Sequence, residues 1–166
     1  MNEFKLADAT ENREIDEWAC ETLSLLLFVH LAIIEDANKK LVSAGLNRTH
    51  HRILFLVGHK PGVTVGEIAT LLRLTTQAIQ PPLRVLLDKQ FVEQQSSERD
   101  RRKRHLILTE RGTEFLKMLT SGQLARMVEA RRRVGDDGYE GFIRFMRAMA
   151  APDDSAWLYP DQELTL

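Results

Sequence analysis

Cysteine is almost missing: Cys20 stands alone among 166 residues. One thiol excludes an internal disulfide framework and any zinc site built from several thiolates, and it fits a reducing compartment. A phosphate-cradling glycine-rich loop, a serine or cysteine nucleophile motif and a paired-carboxylate motif are also missing, so nothing supports an enzyme. Asp136-Asp137 and Asp153-Asp154 are better explained as a helix cap and an acidic tail. Of the five histidines, His50 and His51 are adjacent and point about 100° apart on a helix, and no H-x-x-x-H spacing occurs. No metal and no cofactor is therefore expected. The longest apolar run, Leu23 to Ile34, is interrupted by His30 and falls short of the ~20 residues that span a bilayer. No basic and apolar export pattern opens the chain. A soluble, cytoplasmic protein without a membrane partner is expected.

A dominant charge is absent too, since the formal net charge is -1. That sum hides a strong asymmetry. Residues 1 to 21 hold seven acids (Glu3, Asp8, Glu11, Glu14, Asp16, Glu17 and Glu21) against Lys5 and Arg13, and residues 152 to 166 hold four acids and no base. The middle is correspondingly basic, and for a nucleic-acid partner distribution matters more than the total. An apolar share of 43% over this length suffices for one good core.

The pattern from Thr64 to Gly112 organises the rest. A T-x-x-E capping box, Thr64 with Glu67, opens a short helix carrying Ile68, Ala69, Leu71 and Leu72 on one face. After a turn at Arg73 and Leu74, Thr75 or Thr76 caps a second helix running to Gln90, in which Ile79, Leu83, Leu86 and Leu87 form a core stripe. Its opposite face carries Gln77, Gln80, Pro81, Arg84 and Asp88. Amides and an arginine on that face are the groups that read adenine and guanine edges in a major groove. Two strands follow, Phe91 to Gln95 and Arg104 to Thr109. Between them residues 99 to 104 hold five bases (Arg99, Arg101, Arg102, Lys103 and Arg104) and one acid, Asp100. Like charges at a tight turn repel, and a polyanion relieves that repulsion through phosphate contacts and counterion release. An arginine at such a tip can also enter a narrow minor groove.

Flanking this unit, a helix is expected from Asn12, as N-cap, to about Ala44, stopping at Gly45. Its second half is apolar nearly all round, which calls for burial on two sides and hence for a homodimer. A further helix spans Asn47 to His59, with Leu46, His50, Ile53, Leu54 and Val57 buried, and Pro61-Gly62 ends it. Glu110 to about Arg133 forms a long helix with a weak point at Gly122. Asp136-Asp137-Gly138 breaks it, and Tyr139 to Met149 makes the last helix. The architecture expected is mostly α with a small β-hairpin wing: a winged helix-turn-helix over 47–112 and helical dimerisation segments over 1–46 and 113–166.

Asp100-x-Arg102 followed by HLILTERG resembles the D-x-R wing and the L-T-x-x-G start of the next helix in the multiple-antibiotic-resistance-regulator (MarR) family of bacterial transcription factors. The match by motif covers about residues 47 to 120. The resemblance implies a dimer of triangular shape on double-stranded DNA at a pseudo-palindromic operator. In it Arg102 would be the minor-groove arginine, Asp100 its holding partner, and Thr75, Thr76, Gln77, Gln80 and Arg84 would lie on the recognition helix. It further implies a small-molecule effector, often a phenolic or other aromatic acid, between the dimerisation helices and the DNA-binding lobe. Trp18, His30, His51 and Phe55 are candidates for holding it. A repressor released by such an effector is the expected function. The alternatives are redox sensing through Cys20, where a hydroperoxide-sensing branch carries its thiol, and a winged-helix protein-interaction module without DNA affinity. One departure from the family pattern is Pro81-Pro82 inside the recognition helix. Two interior prolines delete two helical hydrogen bonds and disfavour helical angles at Gln80, so the turn from Thr75 to Gln80 is expected to be distorted or offset.

Overall fold

The computed structural model describes residues 9–96 and 104–150. In chain order it contains α1 (Ala9–Ser43), α2 (Arg48–His59), β1 (Val63–Thr64), α3 (Val65–Leu71), α4 (Thr76–Asp88), β2 (Val92–Ser96), β3 (Arg104–Leu108) and α5 (Glu110–Met149). The expected mostly helical class with a small antiparallel sheet is what folds. The sheet has three strands in the order β1-β3-β2, one more than the hairpin alone. β1 is only two residues long, pairing Val63 with Leu106 and Thr64 with His105, too short to leave an alternating pattern.

One core joins every element of the winged unit. Ile53, Leu54 and Val57 of α2, Val63 of β1, Ile68 of α3, Ile79, Leu83 and Leu86 of α4, Val92 of β2, Leu106 of β3 and Leu119 of α5 are buried together. Full burial of one such side chain contributes about 1.5–3 kcal/mol. Leu41 near the end of α1 and Leu46 just after it join this core, and Ala37 one turn earlier is buried as well.

Three helices end in the same device. After α1, α3 and α4 the chain takes one left-handed residue, Gly45 (φ 69°), Arg73 (φ 52°) and Gln90 (φ 58°). In each case the next amide reaches back to the carbonyl five residues earlier: Leu46 to Leu41 at 2.8 Å, Leu74 to Ala69 at 2.9 Å and Phe91 to Leu86 at 2.9 Å. This Schellman closure satisfies carbonyls that a helix end otherwise leaves open. Gly45 is the stop read from the sequence; Arg73 and Gln90 carry no glycine signal.

Four expectations are corrected. α1 begins at Ala9, so Asn12 lies within it and is not its cap. Gly122 is not a weak point: the helix continues through it, and a Cβ there would lie 2.8 Å from the Asp36 carboxylate of α1, so its lack of a side chain serves close helix packing. The break in α5 falls at Gly135 (φ 75°, ψ 177°), just before the Asp136-Asp137-Gly138 stretch, because a left-handed residue suits glycine. Arg131 spans the bend, donating to Asp136 at 2.8 Å and stacking over the Tyr139 ring at 4.6 Å.

The fourth correction concerns α4, which is helical from Thr76 through Asp88 with Pro81 and Pro82 inside it. The first turn is neither distorted nor offset. The bonds lost are those to the carbonyls of Gln77 and Ala78, and both residues are exposed, so water replaces the missing donors. The helix is held from outside that face by Ile79 and Leu86 at 0% exposure and Leu83 at 1%. Burial of three large side chains, at about 1.5–3 kcal/mol each, is of the same size as a local cost of about 3 kcal/mol per proline, and exposure of the two carbonyls lowers that cost.

Candidate nucleic-acid interface

Each helix of the helix-turn-helix starts on a side-chain cap. Thr64 Oγ1 accepts the Glu67 amide at 3.3 Å while the Glu67 carboxylate accepts the Thr64 amide at 2.8 Å. Lys60 pairs with the same carboxylate at 3.0 Å. At the start of α4 it is Thr75 that caps, its Oγ1 accepting the Ala78 amide at 3.2 Å, and Thr76 is the first helical residue. With the core stripe facing inward, Thr75, Thr76, Gln77, Gln80, Pro81, Arg84 and Asp88 are all exposed. A helix fixed on one side by core packing thus presents two amides, two hydroxyls and a guanidinium on the other.

The wing stands beside that face. β2 and β3 pair in register from Val92 with Leu108 to Ser96 with Arg104, and the Arg104 guanidinium donates to Gln94 Oε1 at 2.9 Å. His105 Nδ1 lies 2.6 Å from the Gly62 carbonyl, a contact that requires the ring to donate and that ties the hairpin to β1. Gln80 of α4 and Arg104, Gln94 and His105 of the wing border one open cleft of about 880 Å³ together with the start of α3. The structure therefore brings together Gln80 and Arg104 from the sequence reading, and adds Gln94 and His105, which it missed. Neither belongs to a charge cluster or a helical face, and only the strand register reveals them. Arg99, Asp100, Arg101, Arg102 and Lys103, the tip of the wing, lie outside the described residues.

The wing is joined rigidly to α5 through the L-T-x-x-G segment. Thr109 is the N-cap of α5: its Oγ1 accepts the Gly112 amide at 3.0 Å and donates to the Gln90 carbonyl at 2.6 Å. Its own amide donates to the Phe91 carbonyl at 3.1 Å. One threonine so connects the end of α4, the start of the wing and the first turn of α5.

The four effector candidates do not gather. Phe55 lines a groove of about 580 Å³ with Gly58, His59, Leu108, Leu116, Lys117 and Leu124, between α2, the wing and α5, and its ring stacks on His59 at 6.1 Å. His51 is one turn away on the same helix and does not line it. Trp18 and His30 lie exposed on α1, away from this groove. Cys20 is free and exposed. Among the described residues no group of three histidine, cysteine or acidic side chains is placed to hold a metal.

Two histidines are working parts of α2. His50 takes the place usually filled by glutamate or glutamine in a capping box: its Nδ1 accepts the Asn47 amide at 3.1 Å, and Asn47 Oδ1 accepts the His50 amide at 3.3 Å. Nδ1 of His50 also lies 2.7 Å from Asn47 Oδ1, and Nε2 of His50 and Nε2 of His51 are buried without a hydrogen-bond partner. Burial, aided by the charge of Lys89, holds His50 below the ordinary imidazole value, and burial does the same to His51. The unfolded chain then binds protons at a higher pH than the folded one. The stabilisation is complete above an unfolded value of ~6.5 and is lost as pH falls from there through the depressed folded values. Thermal unfolding followed from pH 7.5 to pH 5 should show a falling Tm, with a shallower slope in the double variant His50→Gln, His51→Gln, since glutamine keeps the cap but cannot titrate. Equal slopes in the two proteins would contradict this assignment.

Comparison with known proteins gives concordant results. The sequence profile described as MarR family matches residues 44–103. The chain is 32% identical over 137 residues, 82% of each chain, to the HTH-type transcriptional regulator PetP of Rhodobacter capsulatus. Its fold is similar to that of a mutant MepR of S. aureus bound to an oligodeoxyribonucleotide, with a TM-score of 0.54 at 20% identity, covering 77% of this chain and 94% of the other. It is also similar to the Mycobacterium tuberculosis MarR family protein Rv2887 in complex with salicylic acid, with a TM-score of 0.53 at 24% identity, covering 76% and 93%.

Proposed function

This chain belongs to the MarR family of transcriptional regulators, and on that premise we propose that it acts as a cytoplasmic homodimeric repressor at a two-fold symmetric operator, released by a small aromatic acid. Regulators of this family bind DNA and are not enzymes. The observation that carries the reading is the exposed polar face of α4, with Gln77, Gln80 and Arg84 turned away from a fully buried stripe beside a basic wing. Residues 47–112 form the reading unit, and residues 1–46 with 113–166 supply the dimer contacts. Arg102 enters the minor groove, held by Asp100, while Arg99, Arg101, Lys103 and Arg104 contact phosphate.

Binding of wild type and Arg102→Ala to random-sequence and genome-derived duplexes across a salt series tests this directly. Wild type should select a symmetric site with a steep salt dependence, and Arg102→Ala should lose part of both preference and slope. Lys103→Ala should weaken binding evenly over all sequences and lower the salt slope by about one unit per subunit, about two for the dimer. A Lys103→Ala protein with altered sequence preference and an unchanged slope would reverse that division of labour.

For the effector, the groove beside Phe55 offers an aromatic wall and Lys117, whose ammonium is paired with Glu114 at 2.7 Å and open to a competing carboxylate. A ligand preferring a dimer with wrongly spaced recognition helices weakens DNA binding by its differential affinity for that state. Salicylate, the ligand in the Rv2887 complex, is the probe to titrate against the DNA complex.

A further inference from the structure

Pro81 occupies the centre of the face that α4 turns outward. At about 100° per residue, the buried stripe of Ile79, Leu83 and Leu86 defines the inward direction, and Pro81 and Asp88 lie nearest to its opposite. Pro81 is exposed, and it has Gln77 one turn before it, Gln80 beside it and Arg84 one turn after it. Among these neighbours it is the only group with no polar atom in its side chain. Its ring is also short, as is exposed Ala78 three residues earlier, so nothing there holds the helix away from a base edge.

Folding alone gives no reason for a proline at this position. The ring covers no core surface, and it removes the donor for the Gln77 carbonyl inside an otherwise regular helix. In a major groove the same ring has a chemically defined partner. Thymine is the one standard base that projects a methyl group there, and apolar side chains read it.

We propose that Pro81 is a specificity-determining residue that recognises the 5-methyl group of one thymine in each half-site, between contacts made by Gln77, Gln80 and Arg84. This rests on α4 lying in the major groove. The ring and the methyl exclude water from each other, and at about 0.8 kcal/mol per buried carbon the contact changes affinity by about fourfold per half-site. Cytosine, lacking the methyl and offering an amino group to an apolar ring, is rejected at that position.

The test begins with a duplex selected by the wild type from a random pool at physiological salt. That site is remade with deoxyuridine replacing thymidine at one symmetric pair of positions at a time, which removes only the methyl. Binding is then measured for wild type, Pro81→Ser and Pro81→Val. One position should weaken wild-type binding about fifteenfold when both halves are changed, the product of two fourfold effects. Pro81→Ser should bind thymidine and deoxyuridine duplexes alike, and Pro81→Val, apolar again, should recover the discrimination. Both variants regain a backbone amide, so helicity by circular dichroism should match wild type. Equal sensitivity in wild type and Pro81→Ser, or no sensitive position at all, overturns the proposal while leaving the groove assignment standing. Failure of the wild type to select any site overturns the groove assignment and the proposal with it.

Discussion

Gly112→Ala is expected to destabilise the protein by at least about 3 kcal/mol, the upper part of the range for forcing extra volume into a packed site. For a chain of this length that lowers Tm by roughly 6–12 °C. Gly112 is buried in the first turn of α5, and a Cβ built on it would overlap the Phe91 carbonyl oxygen and lie 2.7 Å from the Phe91 carbonyl carbon. That carbonyl cannot step aside cheaply, because it accepts the Thr109 amide at 3.1 Å and sits where the Schellman closure of α4 hands the chain to the wing. Relief would require moving α5 away from the wing, so the variant should also weaken DNA binding through a misplaced hairpin. Gly58→Ala is the contrast. There the new Cβ meets the ends of the Leu116 and Leu108 side chains, at 2.7 and 3.0 Å, which rotate, and alanine gains about 1 kcal/mol over glycine inside a helix. Differential scanning calorimetry of both variants decides the matter. A Gly112→Ala protein melting within about 2 °C of wild type would mean that this joint is soft, since at this size such a shift is worth less than about 1 kcal/mol.

The same joint explains what was legible in the sequence and what was not. Thr109 and Gly112 stand out as a motif because a hydroxyl cap and a missing side chain are both required at one close approach. The Thr64 box and the stripe through Ile79, Leu83 and Leu86 are legible for similar reasons: each is a local rule written in residue type and spacing. Signals fail where tertiary context overrides local preference. Arg73 and Gln90 adopt left-handed angles without glycine because two core-bound segments leave the chain no other turn. β1 exists only because β3 supplies its partner. Pro81 and Pro82 argue against a helix by local rules, yet buried leucine and isoleucine hold the helix around them. The candidate interface divides along the same line. The face of α4 follows from periodicity, whereas the placing of Gln94 and His105 beside Gln80 depends on strand register. The effector candidates Trp18, His30, His51 and Phe55 share only a chemical character, which carries no information on position, and within one chain only Phe55 lines the groove between α2 and α5.

The second large effect concerns α1. Leu23, Leu27, Phe28 and Leu31 are 63%, 55%, 64% and 47% exposed, and the stretch Glu17–Ser43 is by length and composition alone apolar enough to cross a membrane. The run from Leu23 to Ile34 is by itself short of a bilayer span, whereas the whole helical stretch passes that test by length and composition only. A second copy of the chain is the occupant that fits the proposed two-fold operator. Leu124, Met127 and Val128 of α5 are exposed as well, at 57%, 52% and 68%, so both flanking helices carry large exposed apolar side chains. Covering each large side chain contributes about 1.5–3 kcal/mol before the cost of association. Leu23→Glu with Leu27→Glu keeps good helix formers while placing two like charges on that face. The double variant should sediment at half the wild-type mass and bind the operator at least about a hundredfold more weakly, because the second half-site is no longer linked to the first. Its salt slope should fall by about half, since each monomer neutralises half the phosphates. The lobe from α2 to β3 buries its own core and should keep its fold by circular dichroism. Flotation with anionic vesicles separates the rival occupant: wild type that stays in the soluble fraction as a dimer supports the protein interface, and wild type that floats and remains monomeric without lipid would sink it.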